Sequence, residues 1–179
     1  MRVLLWLARA IDALNESIGR SVKWLVLLAT LVSAGNAALR YGFDLSSNAW
    51  LELQWYLFAL IFLLGAGYTL KHNGHVRIDV IYNRLGHRGQ AWIDLFGSVI
   101  FLLPMAGLMA WFSWAMFAEA WAIQETSADS GGLLRWPIKL ALPLGFGLLF
   151  LQGVAEIIKR IAMLRGLLPF TTDRVEEIV

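Results

Sequence analysis

The sequence predicts an all-α membrane protein with four transmembrane helices and a preceding amphipathic helix. Two observations predict this class. The chain of 179 residues is 59% hydrophobic and 16% charged, whereas a soluble domain has about 25% charged residues. Uncharged stretches recur at residues 24–39, 53–70, 95–118 and 140–155, and with their flanks each approaches the roughly 20 residues that a membrane-spanning helix needs. We therefore expect residues 1–179 to form a single membrane domain.

Residues 1–20 are predicted to form an amphipathic helix in the membrane interface. One helical face would present the apolar residues Leu4, Leu7, Ala8, Ile11, Leu14 and Ile18, and the other the charged residues Arg9, Asp12, Glu16 and Arg20. The basic start resembles a signal peptide, but its apolar core before Arg9 is too short for one. We expect the segment to be retained.

The four spans are predicted at about residues 22–40, 49–71, 91–121 and 137–160, followed by a tail at 161–179. Pro104 falls inside the third span and is expected to kink it, because proline removes a backbone donor. Pro137 stands at the start of the fourth, where the missing donor does no harm.

The distribution of lysine and arginine predicts the orientation. The segments outside the membrane alternate along the chain between many and few basic residues. In order, the five segments hold Arg2, Arg9, Arg20 and Lys23; Arg40; Lys71, Arg77, Arg84 and Arg88; Arg135 and Lys139; and Lys159, Arg160, Arg165 and Arg174. Both termini and the loop after residue 71 are therefore predicted to be cytoplasmic. These basic residues flank apolar runs, which indicates membrane orientation and does not suggest nucleic acid.

Three ionisable residues, Arg40, Glu52 and Glu119, fall near the predicted outer ends of their spans. A charged group at membrane depth is a candidate functional site. The alternative is that all three lie at headgroup level, where Arg40 could pair with Glu52 across a short hairpin.

The loop after the second span is the most polar internal segment, and it contains His72, His75 and Asp79. Their spacing could suit a zinc or nickel site, but the turn signal Asn73-Gly74 interrupts the group. No histidine lies within a span, which excludes haem with axial histidines, and the chain has no cysteine. We expect no catalytic, cofactor or metal site, and Asp79 is predicted to cap a short helix.

Several short motifs together give a resemblance that covers nearly the whole chain. In order they are Arg40-Tyr41-x-Phe43, Glu52 at the start of the second span, Leu64-Gly65-Ala66-Gly67, His75-Val76-Arg77-Ile78-Asp79-Val80, Glu125-x-Ser127, Trp136-Pro137-Ile138-Lys139 and Leu142-Pro143-Leu144-Gly145-Phe146. With these motifs the sequence resembles the small membrane (Q-type) subunit of tripartite ATP-independent periplasmic (TRAP) transporters. The motif around His75 and Asp79 is the most specific.

The resemblance implies a subunit of the bacterial inner membrane without a transport site of its own. Such transporters import organic acids with a sodium gradient, a periplasmic protein captures the solute, and a large membrane subunit moves it. The small subunit would enlarge the fixed scaffold and help the binding protein dock, and membrane lipids would surround it. Structural or subunit-interface roles are implied for Arg40, Tyr41, Glu52, Gly65, His75, Arg77, Asp79, Glu125, Ser127, Pro143 and Gly145. The motif ending in Phe146 is similar to that of members associated with 2-oxo acids.

Two other classes of function are alternatives to this scaffold role. The first is a self-sufficient, oligomeric transporter in which Glu52 or Glu119 couples to protons. The second is a membrane enzyme or redox subunit, which the absent cysteines and the loop-only histidines disfavour.

Overall fold

The computed structural model of the protein describes residues 1–45, 47–75, 82 and 84–169. Its long helices are α1 (Arg2–Phe43), α2 (Asn48–Lys71), α3 (His87–Ala122) and α4 (Trp136–Leu164). Each is long and apolar enough to cross a membrane, and each contains one of the four predicted spans. The predicted helical class with four candidate spans is confirmed.

α1 is one uninterrupted helix of 42 residues, so the predicted amphipathic segment and the first span are continuous. No proline occurs in this part of the chain to interrupt the helical hydrogen bonds. At 1.5 Å per residue α1 is about 63 Å long, which exceeds the roughly 40–45 Å of a bilayer with its headgroups. Ala8 and Ile11 pack against Ala155 and Ile158 of α4. The N-terminal segment therefore lies along α4, and its placement in the membrane interface stays a prediction.

α3 changes its hydrogen-bonding pattern just before Pro104, where the sequence predicts a kink. Residues His87–Gly97 are α-helical, Ser98–Leu102 form a π-helical turn, and Leu103–Ala122 are α-helical again. The N–H of Leu103 donates to the carbonyl of Ser98, five residues back. A proline ring clashes with the carbonyl four residues before it in a regular α-helix, and the wider π turn is a common way to accommodate such a disruption.

The helices pack in the order α1, α2, α4, α3, and the N-terminal part of α1 also contacts α4. The most apolar stretch of α4 is the most buried of the four, with 44% inside the chain, and that of α3 is the least, with 6%. α4 is therefore the central helix. α3 leaves large side chains such as Phe101 and Trp111 exposed, as expected of a helix that faces lipid or another membrane subunit.

Gly145 is a point of close approach between α2 and α4. A Cβ atom placed on Gly145 would lie 2.7 Å from the Cβ of Leu63 and 2.8 Å from its carbonyl oxygen. Small residues allow membrane helices to approach in this way. Gly147, two residues further along α4, has nothing within 4 Å of the equivalent position. The two glycines thus differ in packing while sharing one helix.

We expect Gly145→Ala to destabilise the protein by about 1–3 kcal/mol, the usual cost of overpacking, because its methyl group meets the backbone of Leu63. Gly147→Ala should be neutral or stabilising, since alanine is the better helix former. Thermal unfolding of both variants in the same detergent measures the difference. Equal melting temperatures for the two variants would contradict the close contact.

Candidate functional site

The loop between α3 and α4 is an ordered hairpin-like segment. Thr126 and Leu134 form an isolated antiparallel bridge. The N–H of Ser127 donates to the backbone carbonyl of Leu133 at 2.9 Å, and the N–H of Arg135 donates to the backbone carbonyl of Glu125 at 2.8 Å. Gly131 supplies the left-handed backbone conformation at its tip (φ 73°). The loop therefore has a defined shape next to the start of α2.

Glu52, in the first turns of α2, fastens this loop to the helices. Its side chain is 4% exposed, and a carboxylate so far from water requires partners. The hydroxyl of Ser127 donates to its Oε1, the N–H of Leu133 donates to Oε2 at 2.6 Å, and the guanidinium of Arg135 lies 3.8 Å from Oε1. We call this group, with the ion pair between Lys139 and Glu125, the Glu52 cluster.

Further contacts hold the same loop against α2. The hydroxyl of Tyr56 donates to the backbone carbonyl of Leu134 at 2.9 Å, and the side-chain amide of Asn48 donates to the backbone carbonyl of Ser130 at 3.0 Å. The guanidinium of Arg135 lies 5.9 Å from the ring centre of Trp55, within the range of a cation–π contact. The loop is thus attached to three successive turns of α2.

Three of the predicted site residues, Glu52, Glu125 and Ser127, meet in the Glu52 cluster. The possible pairing of Glu52 with Arg40 is not among the ion pairs of the described residues, because Glu52 contacts Arg135 instead. Arg40 and Tyr41 are exposed at the end of α1. Arg40 and Glu52 are near each other in sequence, but the ion-pair partner of Glu52 is Arg135, which lies in a loop about 80 residues away.

The other predicted residues are spread over the molecule. Pro143 and Gly145 are buried in α4, and Gly65 of α2 faces Val22 of α1. His75 is exposed. Arg77 and Asp79 lie outside the described residues, so their expected roles stay predictions.

A second polar group joins α1 to α4 near the other end of α2, and sequence reasoning missed it. Asn15 and Gln152 are both fully buried, and the amide of Asn15 donates to Oε1 of Gln152 at 3.0 Å. The amide of Gln152 donates to Asp12 at 2.7 Å and to Glu156 at 3.1 Å. Lys159 lies 3.2 Å from Asp12 and 2.5 Å from Glu156. We call these five residues the Gln152 cluster.

Glu16 joins α1 to the end of α2 beside the Gln152 cluster. Its Oε2 lies 2.8 Å from Nζ of Lys71 and 2.8 Å from Nε2 of His72, and its Oε1 lies 2.8 Å from Nε of Arg20. The sequence predicts that Asp12 and Glu16 lie on the polar face of an amphipathic helix in the membrane interface. In the structure they are the face that binds α4 and α2, whereas Leu7 and Leu14 of the apolar stripe are exposed.

Two sequence signals could have indicated the Gln152 cluster. Gln152 is the one strongly polar side chain in the uncharged run 140–155, and Asn15 interrupts the apolar stripe between Ile11 and Ile18. A polar side chain inside a membrane helix generally faces another helix. Gly67 permits the approach, since any Cβ there would collide with the amide of Asn15. Asp79, a member of the possible histidine-based metal site, lies outside the described residues, and within the described ranges no group of three or more His, Cys, Asp and Glu side chains is arranged to hold a metal ion.

These features define a multi-pass membrane protein whose buried polar groups tie its own helices together. The family of tripartite ATP-independent periplasmic transporters, DctQ component, matches residues 29–163, and the chain belongs to this family of small TRAP transporter permease subunits. The predicted resemblance is confirmed.

Two curated relatives agree with this assignment. The chain is 30% identical over 135 residues to the C4-dicarboxylate TRAP transporter small permease protein DctQ of Pseudomonas aeruginosa, covering 74% of this chain and 62% of that protein. It is 34% identical over 79 residues to a putative TRAP transporter small permease protein of Haemophilus influenzae, covering 44% and 48%. The matches therefore span less than two thirds of either relative. No solved structure matches the chain.

We expect Glu52→Gln to loosen the loop at residues 123–135, because a neutral amide cannot accept from Ser127 and Leu133 as the carboxylate does, and it leaves Arg135 without its ion-pair partner. Trypsin should then cleave after Arg135 faster than in the unchanged protein, and the melting temperature should fall by several degrees. Glu119→Gln is the matched control, since Glu119 is exposed on α3. Equal cleavage rates in both variants would show that Glu52 does not hold the loop.

Asn15 and Gln152 should be energetically coupled. In a double-mutant cycle with Asn15→Ala and Gln152→Ala, we expect a coupling energy of about 1 kcal/mol, within the range of hydrogen bonds between membrane helices. Reversible unfolding in mixed micelles gives the four free energies. Additive effects of the two substitutions would argue that their hydrogen bond contributes nothing to stability.

Proposed function

We propose that the chain is a scaffold subunit of a TRAP transporter that imports organic acids across the bacterial inner membrane in a sodium-coupled reaction. It would bind the large membrane subunit and help a periplasmic solute-binding protein dock. The main support is that two buried polar side chains join separate elements of the chain: Glu52 joins α2 to the loop at residues 123–135, and Gln152 joins α4 to α1. Such groups hold helices in one arrangement, as a fixed scaffold requires.

The exposed apolar surface of α3 supports binding to a larger membrane subunit. Only 6% of its most apolar stretch is buried within this chain, and α3 is an outer helix of the packing order. Its aromatic side chains provide a large contact area for another helix or for lipid. Family membership adds that small permease subunits belong to multi-component transporters.

The ordered loop at residues 123–135 supports a role in docking the solute-binding protein. The positive-inside pattern predicts that this loop is periplasmic and that both termini are cytoplasmic. The Glu52 cluster fixes its shape, and Asp129 and Ser130 at its tip are exposed. A preformed surface loses less conformational entropy when a partner binds.

The solute class is inferred from similarity alone. The Pseudomonas relative is named for C4-dicarboxylates, which agrees with the expectation of an organic acid. The alternative of a self-sufficient proton-coupled transporter has less support, because Glu52 is enclosed by donors from the loop and Glu119 is exposed on the outer helix α3.

The predicted inner loop is proposed to anchor the complex on the cytoplasmic side through His75, Arg77 and Asp79. His75 is exposed and follows directly on the end of α2. The basic residues of this segment suit contacts with headgroups or with acidic groups of the large subunit.

Purification of the tagged chain from native membranes tests the proposal. We expect a much larger multi-span protein to copurify, and deletion of this chain should abolish uptake of the organic acid. Asp79→Asn should lower the recovered partner, whereas Asp129→Asn, at the exposed tip of the opposite loop, should not.

Recovery of the chain alone, together with solute-dependent proton flux in proteoliposomes that contain only this chain, would favour the self-sufficient transporter. Normal assembly of the Asp79→Asn variant with altered solute affinity would refute the anchoring role of the inner loop.

A further inference from the structure

An open groove of about 740 Å³ runs along α1 beside the end of α2. Four basic side chains line it, together with two carboxylates: Arg9, Arg20, Lys23 and Lys71; Asp12 and Glu16. The lining therefore has two more positive than negative groups. None of these residues belongs to the Glu52 cluster or to the loop proposed to dock a binding protein.

The two carboxylates do not cancel the basic character of the groove. Glu16 is shared by Arg20 and Lys71, so a single negative charge faces two cations. Asp12 contacts Lys159, which lies outside the groove. Lys23 has its Nζ 5.7 Å from the ring centre of Trp24, and the ion pairs formed within the described residues do not include it. A local excess of positive charge remains around residues 20–23.

Directly along the helix from these cations, the same face of α1 becomes apolar. Positions three or four residues apart share one helical face, and Trp24, Leu27 and Leu31 continue the face that begins at Arg20. Their exposed fractions are 64%, 49% and 61%. The surface thus changes from basic to apolar within one helical turn, at the predicted start of the first span.

This order matches the chemistry of an anionic phospholipid. The phosphate would lie against Arg20 and Lys23, which donate charge-assisted hydrogen bonds, with the exposed Ser17 hydroxyl in the same groove. The acyl chain would lie along Leu27 and Leu31, with Trp24 at the boundary where tryptophan is enriched. A free phosphate ion would make no favourable contact with the apolar residues Trp24, Leu27 and Leu31.

We infer that the groove formed by α1 and the end of α2 binds the headgroup of an anionic phospholipid such as phosphatidylglycerol, with its acyl chain along Trp24, Leu27 and Leu31. The site binds lipid independently of any solute. It rests on the membrane location of the chain and on the contacts of α1, and it does not depend on the proposed scaffold role.

Native mass spectrometry of the full-length chain released from detergent tests the inference. Phosphatidylglycerol should be retained in preference to phosphatidylcholine with the same acyl chains. The double variant Arg20→Gln, Lys23→Gln should bind phosphatidylglycerol about 25-fold more weakly, since each basic residue near an anionic lipid surface contributes roughly fivefold. Arg20 is 73% exposed, so its pair with Glu16 adds little to stability.

The matched control is Arg2→Gln, Arg165→Gln, which removes the same charge from exposed residues on the same predicted side of the membrane, outside the groove and the inner loop. It should retain phosphatidylglycerol like the unchanged chain. An equal loss in both double variants would overturn the site and leave only general attraction to basic residues. Equal retention by the unchanged chain and the Arg20→Gln, Lys23→Gln variant would overturn it as well.

Competition with inorganic phosphate shows whether the groove binds a lipid headgroup or a free phosphate ion. We expect millimolar phosphate to leave phosphatidylglycerol bound, and complete displacement would overturn the lipid assignment in favour of a free-anion site. If the double variant does not fold, Lys23→Gln alone and the unchanged chain with phosphatidylglycerol at increasing salt replace it. A roughly fivefold loss for Lys23→Gln supports the site, and retention insensitive to both changes refutes it.

Discussion

The hydrogen bond between Asn15 and Gln152 is the contact on which the arrangement of the helices depends. Both side chains are fully buried, and a buried amide N–H that lost its acceptor would cost stability. The pair draws in Asp12, Glu156 and Lys159 and thereby fixes α1 alongside α4. Since α4 also contacts α2 and α3, the position of α1 is set relative to the whole domain.

The Glu52 cluster provides the corresponding constraint at the opposite end of α2. There a buried carboxylate binds a loop that follows α3, so the start of α2, the end of α3 and the start of α4 are held together. Both ends of α2 are therefore fastened by polar contacts, while its middle packs closely on α4 through Gly145. Directional polar contacts specify a helix arrangement more narrowly than apolar packing alone, because lipid and apolar side chains are chemically alike.

This distribution of polar groups suits a subunit of a larger transporter. Buried polar contacts join α1 to α4 and the loop at residues 123–135 to α2, and the long outer helix α3 keeps its apolar side chains exposed. The molecule thus combines an internally fixed arrangement with an outer surface that lipid or another membrane protein can cover. The basic groove on α1 lies apart from α3, so a bound lipid would not compete for the surface of α3.

The helices and their approximate limits followed from the sequence, because long uncharged runs leave few other ways to satisfy backbone hydrogen bonds in a membrane. Membership of the family also followed from the sequence, since its motifs occur in order along the chain. The partners of individual polar side chains did not follow. Glu52 and Arg135 are far apart in sequence, as are Asn15 and Gln152, and no local spacing relates them. Helical periodicity assigned Asp12 and Glu16 to a polar face, but it could not show that the neighbouring surface of α4 and α2 is also polar. Only the tertiary structure decided that this face turns inward, because it depends on which helices meet and at which turn.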